Sequence, residues 1–153
     1  MKSELEPKST AALHSATAAI EAGAGLALLF FPSVTVELLL GAPLKAPASL
    51  AVARVGGTAL LALGIACWLA RDDTQSPTAR GLVAAMVVYN LGIVVVLGTA
   101  GIRSLPAGFV LWPAAVLLHG AMAAWCILSL VRGKARDETS SSGALGLQGR
   151  QDQ

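Results

Sequence analysis

Four long runs of apolar residues, separated by short polar segments, dominate the chain. A hydrocarbon layer about 30 Å thick is crossed by about 20 helical residues at a rise of about 1.5 Å per residue, and each run meets that length. The pattern therefore predicts an all-α protein, an integral membrane bundle of four transmembrane helices. The predicted spans are 11–31, 48–70, 81–101 and 108–131.

The polar segments divide the chain around these spans. Residues 1–10 are predicted to be a cytoplasmic N-terminal segment, 11–131 the four-helix transmembrane domain, and 132–153 a disordered cytoplasmic tail, because the tail is poor in apolar residues and rich in Ser, Gly and Gln. After the first span, PSVTVELLLGAP at 32–43 is too short to cross. This segment predicts either a short helix in the outer interface or an extended apolar loop.

Composition and charge support a membrane location. Hydrophobic residues make up 55% of the chain and charged residues 13%, against about 45–50% and about 25% in soluble domains. Basic residues cluster at both termini and at 71–80, so the positive-inside bias predicts an antiparallel up-down bundle with both termini in the cytoplasm. We therefore expect a multi-pass protein of the cytoplasmic (inner) membrane. A net charge of +2 makes nucleic acid an unsuitable partner.

The sequence offers few groups for catalysis. It contains no C-x-x-C pair, phosphate loop, nucleophile elbow or haem-ligating pair, and Cys67 and Cys126 are predicted to be free thiols that pack as small apolar residues. We therefore predict no catalytic residue, no metal site and no cofactor, and the interpretation leans away from an enzyme.

Each predicted span carries an ionisable or strongly polar residue. Glu21 lies roughly 15 Å from either end of the first span, and Arg54 roughly 9 Å below the outer end of the second. Asn90, beside Tyr89, lies roughly 13 Å from the cytoplasmic end of the third span, and His119 roughly 16 Å from the outer end of the fourth. Because such groups in lipid usually turn inward and pair, these five residues are predicted to share a polar cluster.

Three interpretations of this cluster stay open. Glu21 and Arg54 can form a buried ion pair that locks two helices, or Glu21 can exchange a proton or cation with Tyr89, Asn90 and His119 as relay or ligand groups. In the third, Arg54 snorkels outward or the counted depths are misplaced.

Small residues at helical spacing predict the faces on which the helices pack. On the first span His14, Thr17 and Glu21 lie on one stripe, and on the second the stripe through Arg54 continues into Thr58 and three alanines. His14 is predicted to lie at the cytoplasmic interface, unless it supplies protons to Glu21.

The glycine pattern of the second span resembles that of the DoxX-like small four-helix membrane proteins of bacteria. The resemblance rests on a G-G-x-x-L-L-x-L-G run at 56–64 and on the four-span layout. It implies the four-helix fold, and some DoxX-like proteins are associated with oxidation of sulfur compounds or quinones.

These observations predict a structural or accessory membrane component stabilised by a buried polar cluster. The alternatives are a proton-coupled small-molecule transporter that uses Glu21 and a membrane subunit of an oxidoreductase. The expected partners are the lipid bilayer and either a second copy of the chain or a membrane partner subunit.

Overall fold

The computed structural model describes the backbone of 5–73, 76–104 and 111–151, and the side chains of 8–73, 76–100 and 111–135. Within these residues the regular structure is helical, which confirms the all-α prediction. The helices are α1 (Leu5–Phe30), α2 (Pro32–Leu40), α3 (Pro47–Leu69), α4 (Pro77–Ser104) and α5 (Trp112–Gln151). All except α2 are long and apolar enough to span a membrane, so the prediction of four candidate spans is confirmed.

Proline and glycine mark where these helices begin and end. Pro32, Pro47 and Pro77 are the first residues of α2, α3 and α4, where a missing backbone N–H costs nothing. Gly41 caps α2 in the left-handed conformation (φ 75°), and its N–H donates to the Glu37 carbonyl. Of the two predictions for this segment, the short helix is therefore the one observed.

The helix boundaries differ from the predicted domain limits at both ends of the chain. α1 begins at Leu5, inside the segment predicted to precede the first span, and α5 continues to Gln151 through the segment predicted to be disordered. A proline-free run, even one of low apolar content, can continue a helix that a membrane span has already nucleated. The predicted start of the fourth span, at 108, lies outside the described residues.

α1 and α3 approach so closely that their backbones touch. A Cβ atom added at Gly57 would lie 2.8 Å from the Gly25 carbonyl oxygen, and one added at Gly64 would lie 2.9 Å from the Ala22 nitrogen. One added at Gly25 would lie 2.7 Å from the Leu61 nitrogen. Since lipid gives no hydrophobic drive for helices to associate, such glycine contacts supply the van der Waals packing that holds the pair together.

The face of α3 that packs is not the one predicted. Arg54 and Thr58 are exposed, whereas Gly57, Gly64 and Cys67 are buried. Both stripes consist of small residues, but glycine permits a closer backbone approach than alanine and therefore decides which one faces α1. The prediction that Arg54 lies on the packing face is wrong.

The core is small and draws on all four long helices, with α4 packed along α5 beside the α1 and α3 pair. Its buried apolar members are Leu13, Ala18, Cys67, Val83, Met86, Met122 and Cys126. Large apolar side chains elsewhere are exposed, including Val52, Val88 and Leu117 at 72%, 74% and 73%. This outward apolar surface suits contact with lipid.

The adjacent glycines of α3 provide a matched test of the helix contact. Gly57→Ala should lower the free energy of unfolding by about 1–3 kcal/mol, because its Cβ must push the α1 backbone away. Gly56→Ala gains the same helix propensity, but its Cβ meets no atom within 4 Å, so it should be neutral or slightly stabilising. Reversible unfolding in mixed micelles measures both variants, and equal stabilities would contradict the observed packing.

Candidate functional site: a buried polar cluster

Glu21 lies inside the bundle, where α1 meets α3 and α4. Its side chain is 2% exposed, and its carboxyl group accepts a hydrogen bond of 2.9 Å from the Tyr89 hydroxyl of α4. On the α3 side, its neighbours Ala18 and Ala22 lie against Gly64. The close contact of α1 with α3 therefore fixes the level of Glu21, and Tyr89 satisfies its carboxyl group.

The structure does not bring Arg54 to this site. Gly64, which is level with Glu21, lies about 15 Å further along α3 than Arg54 at a rise of about 1.5 Å per residue. Arg54 is exposed, and no basic side chain in the described part of the chain pairs with Glu21. The predicted ion pair is therefore wrong. The prediction counted the depths of Glu21 and Arg54 from assumed span ends. The glycine contacts instead shift α1 along α3, so that Glu21 lies opposite Gly64 and far from Arg54.

Asn90 and His119 form the second part of the cluster and join α4 to α5. His119 Nδ1 lies 2.8 Å from Asn90 Oδ1, and Asn90 Nδ2 donates to the Met86 carbonyl at 2.8 Å. Because the amide nitrogen is already donating to a carbonyl, the amide oxygen must accept, so His119 carries its proton on Nδ1. Asn90 is 1% exposed, so this bond lies in the interior.

Tyr89 connects the two parts. Its hydroxyl donates to Glu21, and its ring meets the His119 ring edge to face, with centroids 5.7 Å apart and planes at 78°. Four of the five predicted cluster residues, Glu21, Tyr89, Asn90 and His119, therefore lie together, and Arg54 lies apart. A carboxyl, a phenol, an amide and an imidazole in contact can exchange hydrogen bonds and protons.

Two further polar side chains of α1 belong to the interior. His14, predicted to be interfacial, is 1% exposed, and its Nδ1 lies 3.1 Å from the Ala70 carbonyl oxygen at the end of α3. Thr17 is also 1% exposed. The sequence signal was their helical spacing from Glu21. His14 lies level with the end of α3, consistent with a position near the span end, but its side chain is turned into the bundle.

The two thiols belong to the apolar core. Cys67 and Cys126 are free and completely buried in the apolar core, as predicted. Across the described residues, no group of three or more His, Cys, Asp or Glu side chains is placed to hold a metal ion.

Comparison of the chain with other proteins adds no functional assignment to this geometry. No protein-family model, no characterised protein and no solved structure matches the chain.

Proposed function

We propose that this is a multi-pass protein of the bacterial inner membrane in which Glu21 takes up and releases a proton, as part of proton-coupled movement of a small molecule. One observation carries the proposal: Glu21 is buried at the centre of a spanning helix and bonded to a hydroxyl, with no cation beside it among the described side chains. An ionised carboxylate there would cost several kcal/mol. In the resting protein the Glu21 carboxyl group therefore holds a proton, and during function it exchanges that proton.

The proposal includes an antiparallel up-down arrangement with both termini in the cytoplasm. Contacts between the first half of α1 and the second half of α3 support it, since His14 bonds to the Ala70 carbonyl while Gly25 lies against Gly57. The concentration of basic residues at 71–80 and at both termini supports the cytoplasmic side. In this orientation His14 lies on the cytoplasmic side of Glu21.

Tyr89 suits a proton-exchanging carboxyl group. Its hydroxyl donates to a carboxyl oxygen, and that bond can persist whether or not the other oxygen carries a proton. The bond also strengthens when the carboxyl group is ionised, which reduces the cost of the charged intermediate. The His119 ring, in contact with the Tyr89 ring, places a second titratable group within the same cluster.

The resemblance to DoxX-like proteins also belongs to the proposal. The glycine run at 56–64 that carries the resemblance supplies the contact of α3 with α1, through Gly57 and Gly64. We infer that this run serves helix packing, so the shared feature concerns the fold. The proton-exchanging chemistry comes from α1 and α4 instead.

A second candidate is a structural or accessory membrane component, and the bond between His119 and Asn90 favours it. That bond joins α4 to α5 in the interior and needs no exchangeable proton. Interhelical hydrogen bonds of this kind stabilise membrane bundles by about 1 kcal/mol. In this alternative the bond between Glu21 and Tyr89 likewise serves only to hold α1 and α4 together.

Infrared spectroscopy of the protein in lipid bilayers separates the two candidates. At neutral pH we expect the carbonyl stretch of a neutral carboxylic acid, lost in Glu21→Gln and shifted promptly on transfer to D2O, because an exchanging proton must reach solvent. Glu37→Gln, at an exposed glutamate of α2, is the matched control and should leave the band unchanged. A missing acid band would contradict the proposal, and a band protected for hours would favour the structural lock.

The His119 and Asn90 bond makes a separate prediction about stability. Asn90→Leu should lower the free energy of unfolding by about 1 kcal/mol, because it leaves the His119 imidazole without its acceptor. Adding His119→Leu should then cost less than His119→Leu costs alone, since no unpaired partner remains. Unfolding in mixed micelles measures the cycle, and strictly additive losses would show that the bond contributes nothing.

A further inference from the structure

Two polar atoms in the described interior lack a hydrogen-bond partner, and both belong to α1. They are His14 Nε2 and Thr17 Oγ1, on side chains that are each 1% exposed. Most buried polar groups in proteins are hydrogen-bonded to protein or to ordered water, so a pair of unpartnered atoms on one helix marks a place for a hydrogen-bonding molecule.

The bond to Ala70 defines what His14 offers at this place. A backbone carbonyl can only accept, so the 3.1 Å contact requires the proton of the neutral imidazole to be on Nδ1. Nε2 is then left with a lone pair directed away from the bond to α3. His14 therefore presents a base that can accept a proton inside the bundle.

Thr17 differs from other serine and threonine residues in the helices of this protein. Four of them donate to the carbonyl oxygen four residues earlier, namely Ser15, Thr35, Thr58 and Thr99. The Thr17 hydroxyl has no such bond. It is therefore available both to donate and to accept, as a proton-relaying hydroxyl must be.

His14, Thr17 and Glu21 follow one another along a single face of α1. Their positions are separated by about 4.5 Å and about 6 Å along the helix axis, distances that one bridging water molecule can span. Water both donates and accepts, so it can bond to Nε2 and to the Thr17 hydroxyl and continue the chain of hydrogen bonds to the Glu21 carboxyl group.

We propose that His14 and Thr17 hold a short file of water molecules that carries protons between Glu21 and the membrane surface at the turn between α3 and α4. The inference rests on the proposed function of Glu21. Ala70, which binds His14, begins this turn, and Asp72 within it has a side chain that is 79% exposed. The surface end of the path, at His14, therefore contacts a turn whose Asp72 side chain is exposed to solvent.

The transfer conserves every proton. The Glu21 acid gives its proton to a water, that water protonates the Thr17 oxygen, and the original Thr17 hydrogen passes to the next water. This second water protonates His14 Nε2 to give an imidazolium, while Nδ1 keeps its proton on the Ala70 carbonyl. The same Nε2 then gives the proton up to a further water of the file, which carries it to solvent. The reverse sequence of transfers returns a proton to the Glu21 carboxylate. Beyond His14 and Glu21, the titratable groups that face the path within the described part of the chain include Tyr89, which donates to Glu21, and the core thiols Cys67 and Cys126.

The test is the rate at which the Glu21 acid proton exchanges with D2O, followed by its infrared band in lipid bilayers. His14→Asn keeps a donor near the Ala70 carbonyl but removes Nε2, and Thr17→Val removes the hydroxyl while keeping the side-chain shape. We expect each to slow exchange by about 100-fold, the lower range for a positioned acid-base group. Thr58→Val, at an exposed and self-bonded threonine, is the matched control and should leave the rate unchanged.

The outcomes separate this inference from the proposed function. Prompt exchange in the native protein that neither His14→Asn nor Thr17→Val slows would overturn the water path while leaving the role of Glu21 intact. Protection of the acid proton in the native protein would overturn both. Thermal unfolding of each variant is measured in parallel, and slowed exchange in a variant that is as stable as the native protein supports a relay role over a structural one.

Discussion

The hydrogen bond from Tyr89 to Glu21 is the interaction on which the interior of this bundle depends. A carboxyl group at the centre of a membrane helix must find its partner within the protein, and here the partner comes from α4. Because α1 is packed on α3 and α4 on α5, this bond connects the two helix pairs in the middle of the membrane-spanning region. It also turns the Tyr89 ring onto His119, which places the remaining polar groups in contact.

The glycine contacts determine why Tyr89, rather than a cation, fills this role. Gly57 and Gly64 bring the α3 backbone against α1 and place Glu21 level with Gly64, far along the axis from Arg54. A buried ion pair would have explained Glu21 as a lock alone. With a hydroxyl as its partner, the carboxyl group is more stable as the neutral acid, and in the proposed function it is this proton that moves.

The sequence predicted the helices and most of the cluster because both follow from the low polarity of lipid. Span length identified the four long helices, and the cost of unpaired polar groups brought Glu21, Tyr89, Asn90 and His119 inward. The partner of Glu21 was not predictable in the same way, since α3 carries two small-residue stripes and depth counted from span ends is uncertain by several residues. Residue counting also placed His14 near the end of its span, where it meets the end of α3, but could not show that its side chain is buried.

Two double-mutant cycles, measured as free energies of unfolding in mixed micelles, test the central claim that Glu21 is held by Tyr89 and not by Arg54. Combining Glu21→Gln with Tyr89→Phe should give a coupling energy of about 0.5–2 kcal/mol, as expected for a buried interhelical hydrogen bond. Combining Glu21→Gln with Arg54→Gln should give additive effects, because the two side chains do not meet. Coupling to Arg54 together with additivity at Tyr89 would contradict the account.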